Sequence, residues 1–139
     1  MSLSILVVDD NDINLKIASL MLKRLGHQAD LAKNGEEAIK ALENRRYDIV
    51  LMDIQMPEMD GIEATKIIRQ RWDYGPKIIV VTALDICRNA CFEAGADNFL
   101  TKPLILDELR ASIENHMLNP FINQLRSNIL KEITVTSDI

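Results

Sequence analysis

The sequence predicts a doubly wound, three-layer α/β sandwich made of five βα units. Three observations predict it. Short apolar runs alternate five times with segments of helical periodicity, the connections between them are short, and the middle run is apolar on consecutive residues. Strands and helices that alternate in this way form parallel sheets. A strand covered by helices on both faces also loses the polar alternation of a half-exposed one.

Each element follows in order. The first strand spans residues 4 to 8, Ser-Ile-Leu-Val-Val. Ile13, Ile17, Leu20 and Met21 then recur at helical spacing and form the apolar stripe of a first helix, which stops near Gly26. A less apolar strand over residues 28 to 32 suits a sheet edge. Asn34-Gly35 turns into a second helix through Ala38, Ile39 and Leu42. Residues 48 to 52 are the clearest central strand. Met56-Pro57 and Asp60-Gly61 lead into a third helix with Ile62, Ile67 and Ile68. Asp73-Tyr74-Gly75-Pro76 breaks the chain before a strand over 77 to 81. A fourth helix, about 85 to 93, stops at Ala94-Gly95. The fifth strand, 98 to 101, leads through Lys102-Pro103 to a last helix with Leu106, Leu109, Ile113 and Met117. A parallel strand order of 2-1-3-4-5 fits the weak second strand and sets strands one and three side by side at the reversal point.

A chain of 139 residues suits one domain with a real core. The formal charge of -5, with no basic stripe, argues against a nucleic-acid surface. No apolar run reaches the length of a membrane span, and no basic region leads into a signal-peptide core, so no membrane insertion and a cytoplasmic location are expected. The two cysteines, Cys87 and Cys91, lie four apart on a helix. That spacing is not a zinc signature, and helix geometry does not favour a disulfide, so they read as small apolar residues. His27 and His116 lack a ligand pattern and read as surface residues. The expected domain covers residues 1–118. After the break at Asn119-Pro120, residues 119–139 read as an extension or linker. Phe121, Ile122, Leu125, Ile129 and Leu130 could make a short amphipathic helix there, and no packing pattern follows Thr134.

Chemistry concentrates at the strand ends. Asp9 and Asp10 follow the first strand, Asp53 the third, Thr82 the fourth and Lys102 the fifth. In a parallel sheet all these ends share one edge, where open α/β sheets place their sites. Taken singly, an aspartate or threonine after a strand is commonly a turn or cap residue; the joint placement argues for a site. Asp10 and Asp53 read as direct Mg²⁺ ligands, with Asp9 bound through water or acting electrostatically and the Gln55 carbonyl completing the set. Mn²⁺ would serve the same oxygen ligands. Asp53 reads as a nucleophile toward phosphorus, with the Thr82 hydroxyl and the Lys102 ammonium facing the transferred phosphoryl group. No glycine-rich dinucleotide fingerprint follows the first strand.

The motifs Val7-Val8-Asp9-Asp10-Asn11, Asn34-Gly35-Glu36-Glu37-Ala38, Met52-Asp53 through Asp60-Gly61, Val81-Thr82-Ala83, and Glu93-Ala94-Gly95-Ala96-Asp97 through Lys102-Pro103 carry a family resemblance. Over residues 4 to 118 the chain resembles the receiver domain of two-component response regulators, especially receivers of hybrid sensor histidine kinases. The resemblance implies a flavodoxin-like fold and a His-Asp phosphorelay. Asp53 would accept phosphate from a histidine kinase or a histidine phosphotransfer protein, catalyse its own phosphorylation with Mg²⁺, and lose the phosphate slowly. It also implies that Phe99 is a switch aromatic whose ring turns inward as Thr82 moves. The output face would comprise the fourth helix, fifth strand and fifth helix, with a homodimer through that face as one outcome. The first helix is expected to help dock the histidine donor. One departure stands out: only 20 positions separate Thr82 from Lys102, about two fewer than the family often has, and Leu84 falls in the shortened loop. Two other functions use the same residues. One is a Mg²⁺-dependent small-molecule phosphatase, disfavoured because no substrate-covering insertion is evident. The other is a receiver-like interaction module that is never phosphorylated.

Overall fold

The structure is a computed structural model and describes residues 2–56, 59–83, 87–116, 128–129 and 131–132. Leu84, the expected start of the fourth helix at 85, Pro57, Met117, the His116 side chain and most of the extension lie outside the described residues. Within the extension, Asn128, Ile129, Lys131 and Glu132 are helical.

Five strands, β1 (Ser4–Val8), β2 (Gln28–Ala32), β3 (Ile49–Asp53), β4 (Lys77–Thr82) and β5 (Asn98–Thr101), alternate with α1 (Asp12–Arg24), α2 (Gly35–Asn44), α3 (Gly61–Arg71), α4 (Arg88–Ala94) and α5 (Leu106–His116). All pairings are parallel, in the order β2-β1-β3-β4-β5. This is the flavodoxin-like (βα)5 sandwich that the alternation predicts. The edge position of β2 follows from its composition: only Ala32 of its five residues is buried, whereas all five residues of β3 are.

Two cores fill the sandwich. Leu6, Val8, Val50, Met52, Ile78 and Val80 meet α2, α3 and α4 on one face of the sheet. Ile5, Val7, Ile49, Leu51, Ile79 and Val81 meet α1 and α5 on the other. Successive strand residues alternate between these faces, as the pleat requires.

Helix α1 forms over the expected segment, and its apolar residues divide between two faces. Its core face is Leu15, Ala18 and Leu22, whereas Ile13, Ile17 and Leu20 are 71%, 45% and 58% exposed. The helix therefore has two apolar stripes, and one of them faces solvent. His27, expected at the surface, is partly exposed there. It is half-buried, and its Nδ1 accepts a 3.1 Å hydrogen bond from the Leu3 amide. Burial lowers its pKa, which suits a ring nitrogen that must stay unprotonated to accept. At the middle of β2, the Tyr47 hydroxyl donates to Asp30 at 2.7 Å, and burial together with that bond pushes its pKa up to about 12.

The edge opposite the strand ends is fastened by Arg69 of α3. Its guanidinium donates to the Gly95 carbonyl at 2.8 Å, to the Pro76 carbonyl at 2.9 Å and to the Asp97 carboxylate. Asp97 in turn accepts the Ile78 amide at 2.8 Å. One side chain thus ties α3 to the starts of β4 and β5. Gly95 ends α4 at φ 114°, and a Cβ there would lie 2.4 Å from the Arg69 side chain, so both the turn and the clamp require glycine.

Candidate active site

Each site residue stands where a strand gives way to a capped helix or a turn. After Asp9 and Asp10, the Asn11 side chain caps α1 by accepting from the Ile13 and Asn14 amides at 2.9 and 3.1 Å. After Asp53, the Asp60 side chain caps α3 by accepting from Glu63 at 2.8 Å. Gly61 lets that helix start against the end of β3. A methyl group there would lie 2.2 Å from the Asp53 carbonyl oxygen and 2.8 Å from Ile54 Cα, both backbone atoms.

The structure brings Asp9, Asp10 and Asp53 together: one carboxylate oxygen from each lies within 4.8 Å of the others. Asp9 and Asp53 are only 6% and 4% exposed, and Asp10 faces solvent. Lys102 Nζ bridges the buried pair, at 3.2 Å from Asp53 and 3.5 Å from Asp9. Backbone amides add donors: Asn11 to Asp9 at 2.9 Å and Gln55 to Asp53 at 3.3 Å. Thr82 is fully buried at the end of β4, one residue past the Val81 that pairs with Asp53. Its carbonyl accepts the Lys102 amide at 2.9 Å. The Lys102–Pro103 peptide is cis.

Three carboxylates against one ammonium leave two negative charges in a mostly buried cluster. Burial raises the Asp53 pKa above its ordinary value of 3.8, and Asp9 raises it further, against the opposing pull of Lys102 and the Gln55 amide. A folded state that binds this proton more tightly than the unfolded chain loses stability as pH rises from about 4 through the raised pKa. Without metal, Asp53→Asn is therefore expected to raise the melting temperature at pH 7, with the gain shrinking on titration toward pH 4. Thermal unfolding in chelator checks this, and a gain that grows on acidification would contradict it.

Beside the cluster, a cavity of about 610 Å³ opens between α1 and the loop that joins β5 to α5. Val7, Leu51 and Val81 line it along with Ile17 and Leu104, and Asp53 and Lys102 lie at its polar side. Phe99 of β5 is turned inward and buried on the opposite sheet face, and the Arg88 guanidinium lies 5.1 Å from its ring centre. Sequence reasoning did not single out Arg88, Arg69 or the Asp60 cap. Of these, only Asp60 carried a local signal, an Asp-Gly pair just before a helical pattern.

Comparison with known proteins agrees with this geometry. The family model described as the response regulator receiver domain matches residues 5–114. The chain belongs to that family. The Asp9, Asp10 and Asp53 cluster is the active site of a receiver domain. Histidine kinase 5 of Arabidopsis thaliana is 34% identical over 142 residues, covering 81% of this chain and 15% of that protein. The chain spans 15% or less of the first curated relatives it matches. Among solved structures, the receiver domain of the sensor histidine kinase PA1611 from Pseudomonas aeruginosa, with a magnesium ion coordinated in its active-site cleft, is 35% identical. The match has a TM-score of 0.74 and covers 83% of this chain and 97% of that one. The response regulator TrrA from Thermotoga maritima, in complex with Mg²⁺ and BeF, is 34% identical with a TM-score of 0.77, covering 82% and 98%. Among the described residues, no helix is long and apolar enough to cross a membrane.

Proposed function

We propose that residues 1–118 are a phosphoacceptor receiver in a His-Asp phosphorelay and that residues 119–139 are an extension. The observation that carries this reading is the buried Asp53 carboxylate, held 3.2 Å from Lys102 within 4.8 Å of two further carboxylates. An isolated structural aspartate needs no such company.

The donor set suits a small hard cation: oxygen ligands only, clustered and overcharged. Asp10, Asp53 and the Gln55 carbonyl would hold Mg²⁺ directly, with Asp9 beside it, and Mn²⁺ would fit the same ligands. When bound, the ion neutralises charge on the cluster and on the transferred phosphoryl oxygens. The Asp53 carboxylate oxygen attacks phosphorus, the P–N bond to the donor histidine breaks, and the electron pair returns to the imidazole. Lys102 pairs with one phosphoryl oxygen and the Thr82 hydroxyl donates to another. Water attacking the same phosphorus later restores the carboxylate. Phosphate thereby shifts the position of Thr82 and the packing around Phe99, which changes the surface of α4, β5 and α5 offered to partners or to a second copy.

The donor is a histidine kinase or a histidine phosphotransfer protein. Ile17, one of the solvent-facing stripe with Ile13 and Leu20, lines the same cavity as Asp53, and an exposed apolar stripe that reaches a reactive group marks a docking surface. Ile17→Asp is expected to slow transfer from a phosphohistidine protein by about tenfold or more, while uptake from acetyl phosphate stays near wild type. Rapid-quench phosphotransfer assays check this. Equal loss with both donors would place Ile17 in the chemistry instead, and no loss with either would remove the docking role.

A further inference from the structure

The chain's two cysteines are absorbed by none of the chemistry above. Both are free, and they lie four residues apart on the side of α4 that faces the sheet. Cys91 is 1% exposed within the core, and Cys87 is half-buried against the same core. Arg88 sits between them in sequence and places its guanidinium over the Phe99 ring. The seven-residue helix is short, and Cys87, at its N-cap position, makes no side-chain capping bond. A short helix with an uncapped first turn opens at low cost.

We propose that Cys87 and Cys91 form a peroxide-sensitive dithiol, a modification site whose closure to a disulfide opens the first turn of α4 and carries Arg88 off Phe99. Geometry makes the two states exclusive. Across an intact helical turn, side chains four apart hold their Cβ atoms about 5–6 Å from each other, whereas a disulfide needs about 3.5–4.5 Å; Cys87, at the N-cap, lies just outside that turn and is the member of the pair that must move. The bond therefore forms only when the first turn gives way, and Arg88 is the first residue of that turn.

The order of events follows from exposure. Hydrogen peroxide reaches Cys87 first. Its sulfur attacks one peroxide oxygen, the O–O bond breaks, and water leaves behind a sulfenic acid. The Cys91 sulfur then attacks the Cys87 sulfur and expels a second water. In sum, two thiols and one peroxide give one disulfide and two waters, the sulfurs being oxidised and the peroxide reduced. Burial raises the Cys91 thiol pKa, in keeping with its part as the second sulfur rather than the first. A thiol reductant reverses the bond.

The test treats the full chain with hydrogen peroxide and reads intact mass together with amide hydrogen exchange. Wild type is expected to lose about 2 Da as a monomer, to recover with dithiothreitol, and to exchange faster at residues 91 and 92, whose amides bond the carbonyls of the opened turn. Cys91→Ser should instead trap a dimedone adduct on Cys87, and Cys87→Ser should show neither the loss nor the faster exchange. Cys91→Ala replaces the serine variant if that one does not fold, and the wild-type reading depends on neither. Three outcomes would overturn the proposal: stepwise oxygen addition without the 2 Da loss, a disulfide found only between chains, or a disulfide that leaves exchange at 91 and 92 unchanged.

Discussion

Lys102→Ala is expected to slow phosphoryl uptake by Asp53 by about 10²-fold, the usual effect of removing one preorganised donor from a developing anion. Lys102 is the single cation within 4 Å of Asp53 among the described residues, and it also reaches Asp9 at 3.5 Å. Its loss removes the main opposing pull on the raised Asp53 pKa. Added Mg²⁺ supplies positive charge but not the donor, so the deficit persists at saturating metal. Lys102→Arg keeps the charge in a planar fork and is expected to fall between wild type and alanine. Single-turnover phosphorylation across a Mg²⁺ titration measures all three. A wild-type rate in the alanine variant at saturating metal would show that Lys102 serves only to balance the empty cluster.

The second large effect is on stability. Arg69→Ala is expected to cost about 2–4 kcal/mol, because it strands the Gly95 and Pro76 carbonyls and leaves the partly buried Asp97 without its counter-charge. The pair is 20% and 26% exposed, which places it between a surface bridge and a fully buried one. The melting temperature should fall by roughly 10 °C. Asp97→Ala removes the other half of the clamp and the acceptor for the Ile78 amide, so the double variant should cost less than the two single losses together. Additive losses, or a cost under about 1 kcal/mol for Arg69→Ala alone, would show that the β4 and β5 starts are held by the sheet itself.

The catalytic edge was legible because its logic is topological. Asp9, Asp53, Thr82 and Lys102 each follow a readable apolar run, and parallel strands must bring their ends together whatever the loops do. The weak apolar content of β2 announced its edge position for a similar reason, since burial on both faces dictates composition. Helix α1 shows where the reading stops. Periodicity reveals that apolar residues share a face but not which neighbour that face meets, and α1 carries two apolar stripes. The more hydrophobic stripe, Ile13, Ile17 and Leu20, is the one left to solvent, while the core takes Leu15, Ala18 and Leu22. A buried stripe needs small residues where a helix lies close on a sheet, and Ala18 is the cue that the larger isoleucines obscure. Arg69 and Asp97 were not legible for another reason. They are 28 residues apart, on a helix and in a loop, and the backbone carbonyls that Arg69 takes carry no residue identity. The Arg88–Phe99 contact is likewise set by tertiary packing of α4 on β5.

The central claim is that Asp53 takes up phosphate in a metal-dependent step, and intact-protein mass after incubation with acetyl phosphate tests it most directly. Wild type in Mg²⁺ is expected to gain about 80 Da in early-quenched samples. Wild type in chelator and Asp53→Asn in Mg²⁺ should gain nothing. No gain in any early-quenched sample, repeated with a phosphohistidine protein as donor, would contradict the account and leave a receiver fold that acts only as an interaction module.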